Sequence, residues 1–133
     1  MWVGSKYAII PNVQPVDADN KKVTYQSSDT SVATVDADGV VTAVKGGTCV
    51  IIVTTDELQL KASVTIDVKE YVSSIKLSEN NKYLNIGATG TLTATVGSDT
   101  ATNKAIVWSS SNSGVCAVVD GTLYGMYPGV AVI

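Results

Sequence analysis

Between residues 23 and 51 the chain reads VTYQSSDTSVATVDADGVVTAVKGGTCVI, four short runs of alternating apolar and polar positions separated by small polar turns. Val32, Val35, Val41, Ala43, Cys49, Ile51 and Val53 recur mostly at two-residue steps, broken by Ser-Asp, Asp-Gly and Gly-Gly. A period of two belongs to a strand with one buried face, and Asp-Gly or Gly-Gly supplies the backbone that tight antiparallel turns require. The pattern predicts β structure and no helix.

The same pattern returns. Gly4, Asn20-Lys21, Tyr25, Ser28 and Val32 precede Gly87, Asn103-Lys104, Trp108, Ser111 and Val115 by a constant 83 positions. One deletion in the second Asp-Gly turn changes the offset to 82, after which Gly39, Gly47 and Ile51 match Gly121, Gly129 and Ile133. A period of this size is one sandwich-sized unit and far too long for a solenoid turn. In the second copy strands are expected at 73–77, 83–86, 90–96, 105–109, 115–119, 122–126 and 130–133. Within 90–96, Leu92, Ala94 and Val96 face inward against Thr91, Thr93 and Thr95. Ile106 and Trp108 share one face, with Trp108 read as a core anchor and Tyr25 as its smaller equivalent. In the first copy a strand at 60–68 alternates Ala62, Val64, Ile66 and Val68 with Ser63, Thr65 and Asp67. About seven short strands per copy, with turns every 8 to 12 residues, is the arithmetic of an immunoglobulin-like sandwich.

NKKVTYQSSDTSVATVDADGVVTAVKGGTCVI, and more loosely NKAIVWSSSNSGVCAVVDGTLYGMYPGVAVI, resemble the bacterial immunoglobulin-like group 2 domain. The family pattern runs Asn-Lys, a Val-Thr-Trp strand, Ser-Ser-Asp, Val-Ala-Thr-Val, Gly-Val-Val-Thr-Ala and Gly-Thr-Ala. This chain departs from it with Tyr25 for Trp, Cys49 and Cys116 for Ala, and Gly114-Val115-Cys116 for the Ser-Val-Ala type. The resemblance implies an all-β fold of two tandem immunoglobulin-like β-sandwiches. It also implies a place in bacterial surface proteins and adhesins or in tailed-phage virions, and no enzyme.

The domains expected are residues 1–70 and 71–133. Met1 aligns with Leu84, so the first lacks a counterpart of the opening strand at 73–77; Ile133 aligns with Ile51, so the second lacks the final strands. Two readings stand: the chain is an excerpt of a longer one, or a neighbouring subunit completes the open edges by strand exchange. The link Lys69-Glu70-Tyr71-Val72 has neither Gly nor Pro, from which a stiff two-domain rod is expected.

Composition narrows the chemistry. The chain has nine Lys, no Arg and a net charge of -3, which argues against a nucleic-acid partner. No apolar run reaches the roughly 18 residues of a membrane span, so membrane insertion is not expected. With no His at all, nucleophile arrangements that depend on it and His-based zinc sites are absent. Cys49 and Cys116 lie at non-equivalent positions of the two copies and are expected to be free thiols. Asp36 and Asp38 are read as turn formers ahead of Gly39 rather than as an acid–base pair, and Asp17, Asp19 and Asn20 as a solvated loop rather than a calcium loop, which no Glu closes. No catalytic residue, metal ligand or cofactor is therefore expected.

The outward phase of the strands carries the one functional signal. With Cys49, Ile51 and Val53 inward, Val50 and Ile52 point outward, and Val130 and Val132 repeat the feature where the family has Thr. Outward β-branched residues at repeated positions mark a covered surface. Val50, Ile52, Val130, Val132 and Ile10 are the candidate contacts with another domain or subunit. The sequence-level reading is a structural or adhesive module of a repetitive cell-surface protein, partnered by other subunits, receptors or glycans. The alternative is a phage virion protein, for decoration, head fibre or tail, or a filament subunit.

Overall fold

The computed structural model describes residues 1–133 and contains no helix. Its strands are β1 Lys6–Ala8, β2 Val23–Ser27, β3 Ala33–Val35, β4 Val40–Ala43, β5 Gly47–Thr55, β6 Lys61–Val68, β7 Ile75–Leu77, β8 Thr89–Thr91, β9 Ala94–Val96, β10 Cys116–Val119 and β11 Thr122–Gly125. The protein is all-β, in two tandem immunoglobulin-like sandwiches. One compact unit comprises Met1–Tyr71 with Thr100–Thr102, the other Val72–Asp99 with Asn103–Ile133.

In the first unit two three-stranded sheets, β1-β4-β3 and β2-β5-β6, enclose the core. Val32, Ala33, Val41 and Ala43 come from one side and Cys49, Ile51, Ile66 and Val68 from the other, with Met1, Ile9 and Val35 packed against them. Val41 and Ile51 are fully buried, each contributing about 1.5–3 kcal/mol through removal from water. The pairing Cys49↔Ile66 and Ile51↔Val64 between β5 and β6 fixes which phase turns inward. The N-terminus adds a short parallel contact that the alternation did not announce. Trp2 bridges Lys69, with the Val3 N–H donating to Lys69 O and the Lys69 N–H to Met1 O; the Trp2 ring stacks on Tyr71 with centroids 4.0 Å apart.

In the second unit the sheets are β10-β11-β8 and β7-β9. Each strand of the first set matches its copy: β1 corresponds to β8, β3 to β10 and β4 to β11, and β1 pairs with β4 as β8 does with β11. The core is thinner, with Leu92 and Leu123 its buried side chains.

Three expectations are revised. The single strand expected at 90–96 is two, β8 on one sheet and β9 on the other. The break falls at Leu92 and Thr93, where the Leu92 N–H turns to Gly121 O and the Ser78 N–H to Thr93 O; the inward alternation of Leu92, Ala94 and Val96 survives the switch. Residues 83–86, 105–109 and 130–133 join no ladder. Their counterparts in the first copy do: Met1–Val3 bond to 67–69, β2 pairs with Ile51–Thr55, and 48–51 lie in β5 against β6. Finally, β6 is not buried along its whole inward face: Ile66 and Val68 are, whereas Val64 is 37% exposed and Ala62 also open.

Candidate interaction surface

The acidic turns are occupied by their own backbone. Asp36 Oδ1 accepts the N–H groups of Asp38 at 3.0 Å and Val40 at 2.9 Å, so this carboxylate is a turn former. Asp29 Oδ1 accepts the Ser31 N–H at 2.9 Å and hydroxyl at 2.6 Å, and that hydroxyl bond first, then the N–H, holds the carboxyl below its ordinary pKa. Asn112 does the same work in the second copy, accepting from the Gly114 N–H. Asn20 is tied into its loop by Asp56 and by the Lys22 N–H. No three His, Cys, Asp or Glu side chains converge. Cys49 is buried, Cys116 half-buried, and neither is bonded to the other.

Tyr25 and Trp108 are half-buried and sit in equivalent places. Each ring lies against the glycine of the neighbouring turn, Tyr25 over Gly39 and Trp108 over Gly121. The repeat thus preserves an aromatic-on-glycine contact, which spacing alone did not reveal because the two partners are 14 and 13 residues apart with no regular period.

The five candidate contact residues fall on three elements. Val50 and Ile52 lie on the outer face of β5, half-buried, beside Thr65 and Ser63 of β6. Val130 and Val132 share one phase of the terminal segment of the second unit and are 87% and 71% exposed. Ile10 is 90% exposed, just past β1. Val50 and Ile52 are therefore partly covered by their neighbours on the sheet, while the other three side chains stand in solvent.

Two grooves accompany the unpaired segments. In the first unit a groove of about 390 Å³ runs between residues 11–14 and the open end of β5 and β6, floored by Val53, Ala62 and Val64. In the second a groove of about 490 Å³ lies between Leu84, Leu92 and Leu123 and the segment 128–133. The first is lined mainly by apolar side chains; the second mixes apolar side chains with Asn80, Asn81 and the Glu79–Lys82 ion pair.

The profile of the family described as "Bacterial Ig-like domain (group 2)" matches residues 3–66 and again 71–132. An uncharacterised protein of Clostridium acetobutylicum is 37% identical over 123 residues, 91% of this chain and 13% of that protein. An alpha-L-arabinofuranosidase of Bifidobacterium longum subsp. longum is 38% identical over 104 residues, 75% of this chain and 10% of that enzyme. The chain thus spans about an eighth to a tenth of these relatives. Among solved structures, domains 4 and 5 of the S-layer protein SbsC match 93% of this chain and 69% of that one at 18% identity with a TM-score of 0.38. Domains 4–9 of the same surface-layer protein match 95% and 22% at 18% identity with a TM-score of 0.40.

Proposed function

The chain belongs to the bacterial Ig-like (group 2) domain family, in two tandem copies, and from that premise we propose that it is a non-catalytic structural and adhesive module of a repetitive bacterial surface protein. The observation that supports this most is what the repeat preserves. Positions matched between the copies are filling or turn geometry: Val32 against Gly47 and Val115 against Gly129, Tyr25 over Gly39 and Trp108 over Gly121. None is a reactive group held in a pocket. In the first unit the core-facing residues of β3, β4 and β5 are hidden and Ser, Thr and Lys are turned outward, so reach and display follow from the fold without chemistry.

The partner in this reading is protein or glycan at the cell surface, met through Val130, Val132 and Ile10, with Val50 and Ile52 contributing a flatter face. Surface proteolysis of intact cells carrying the gene tests the location: accessible chain is expected, and retention wholly inside the cell overturns it. A glycan and matrix-protein binding screen with the triple variant Ile10→Ser, Val130→Thr, Val132→Thr tests the surface; a ligand bound equally well by the variant would remove these residues from the interface.

A further inference from the structure

In the first unit the outer face of the sheet β2-β5-β6 reads the same from both ends. The core takes Cys49 and Ile51 of β5 and Ile66 of β6, so the alternate residues face away from it. On β5 these are Thr48, Val50, Ile52 and Thr54, and on β6 they are Lys61, Ser63, Thr65 and Asp67. The register sets Thr48 beside Asp67, Val50 beside Thr65, Ile52 beside Ser63 and Thr54 beside Lys61, with the Ile51–Val64 row midway between them. About that row the outer side of β5 is a palindrome, two aliphatic residues flanked by two threonines. The outer side of β6 is one in shape, two hydroxyls flanked by two charged groups, but the flanking charges are opposite in sign.

Such a face is its own complement. A two-fold axis laid across the strands over the Ile51–Val64 row brings a second copy down with its strands reversed. Val50 then meets Ile52 of the second copy, Ser63 meets Thr65, and at both ends of β6 Lys61 meets Asp67. An axis laid along β6 would instead set Lys61 against Lys61 and Asp67 against Asp67, so charge selects the reversed arrangement. Both groups are available for it: Lys61 and Asp67 are exposed, the ion pair within the chain is Glu79–Lys82, and the Asp67 carboxylate accepts only a long 3.5 Å bond from the Thr48 hydroxyl. Val50 and Ile52 lie half-buried at the centre, between Gln26 of β2 and the hydroxyls of β6. Stacking there removes aliphatic surface from water without burying a charge.

We propose that the protein pairs with a second copy of itself, face to face through β5 and β6 with the strands reversed, Val50 and Ile52 at the centre and a Lys61–Asp67 ion pair at each end. This pairing rests on reading Val50 and Ile52 as a contact face, and its absence would leave the cell-surface location, which proteolysis tests, untouched. Three strands about 4.8 Å apart and about 23 Å long present roughly 300 Å² per copy, below the size of a tight interface, so the association is weak. The test is sedimentation equilibrium of the 133-residue chain, with a dilution series of the isotopically labelled chain followed by amide NMR. A monomer–dimer equilibrium with Kd of about 0.1–1 mM is expected, with dilution shifts concentrated in residues 48–54 and 61–67 and weaker pairing at high salt. Lys61→Asp and Asp67→Lys should each dimerise at least about fivefold more weakly, whereas an equimolar mixture of the two should pair as tightly as the parent, because each then meets the opposite charge. Val50→Thr with Ile52→Thr, which changes only outward side chains, should abolish pairing while the urea midpoint stays close to the parent's. A chain that remains monomeric at about 2 mM, dilution shifts confined to other residues such as 130–133, or a mixture no tighter than the single variants would each overturn the proposal.

Discussion

Tyr25 and Trp108 lie over Gly39 and Gly121, and the distances there decide what a single methyl group would do. A Cβ on Gly39 would stand 2.7 Å from Tyr25 Cζ and 2.9 Å from Ile9 O, and one on Gly121 would stand 2.4 Å from Leu92 O. Both glycines have φ near +79°, so a side chain meets backbone strain as well as a carbonyl oxygen that cannot rotate away. Gly4 and Gly87 have φ of +83° and +79° with nothing within 4 Å. In urea denaturation Gly39→Ala and Gly121→Ala should lose about 2–4 kcal/mol, and Gly4→Ala and Gly87→Ala only about 1 kcal/mol, the conformational part. Equal losses at all four would mean the aromatic seats contribute nothing. Asp29 offers a second residue-scale test. Its folded pKa is lowered, chiefly by the Ser31 hydroxyl, so its contribution is present above the unfolded carboxylate pKa of about 3.9 and is lost as pH falls through the lower folded value. Denaturation midpoints measured from pH 6 down to pH 2 should fall less steeply in Asp29→Asn than in the parent; superimposable slopes would dismiss the turn as a source of acid sensitivity.

At the scale of elements, the β3–β4 hairpin shows how a turn sets its strands. Asp36 Oδ1 holds the Asp38 and Val40 N–H groups, and the Gly39 N–H donates to Asp36 O, so one carboxylate organises the four-residue connection. The second copy manages with Asp120-Gly121, both at positive φ, a two-residue turn whose mirror-type twist matches the strands unaided. Asp36→Ala should therefore cost about 1 kcal/mol, read as a shift in the urea midpoint, and Asp120→Asn, which tolerates the left-handed region, close to nothing. These hairpins were legible in the sequence because Asp-Gly and period-two alternation act locally. So were the inward residues Val41, Cys49, Ile51, Ile66 and Val68, whose phase one ladder register carries through. What the alternation does not encode is the partner of each run. Residues 105–109 have a strand's pattern and no ladder, and 90–96 has one pattern and two ladders, because pairing is decided by segments far away in the chain. The candidate surface was legible in the same partial way. Outward phase marks Val50, Ile52, Val130 and Val132, with Ile10 standing outside that pattern, whereas how far each is covered, half for Val50 and Ile52, depends on neighbouring strands.

For the molecule as a whole, the two sandwiches share a plan but not a core. The first buries Val32, Ala33, Val41, Ala43, Cys49, Ile51, Ile66 and Val68 between two three-stranded sheets, while the second closes chiefly over Leu92 and Leu123. Hydrophobic burial is the main favourable term in folding, and a unit of this size with so little of it has scant margin over its conformational entropy. Opening should accordingly be unequal. Amides of Val41 and Ile51 are expected to exchange at the slowest rates in the chain, and those of Leu123 and Tyr124 at least about 100-fold faster, a difference of roughly 3 kcal/mol in opening free energy. Ile51→Ala, which empties the centre of the first core at a cost of about 2–5 kcal/mol, should accelerate exchange across β2 to β6 and leave β8 to β11 unchanged. If exchange in β8 to β11 rose in step, the two units would be opening as one cooperative body, and the second would owe its stability to the first rather than to Leu92 and Leu123.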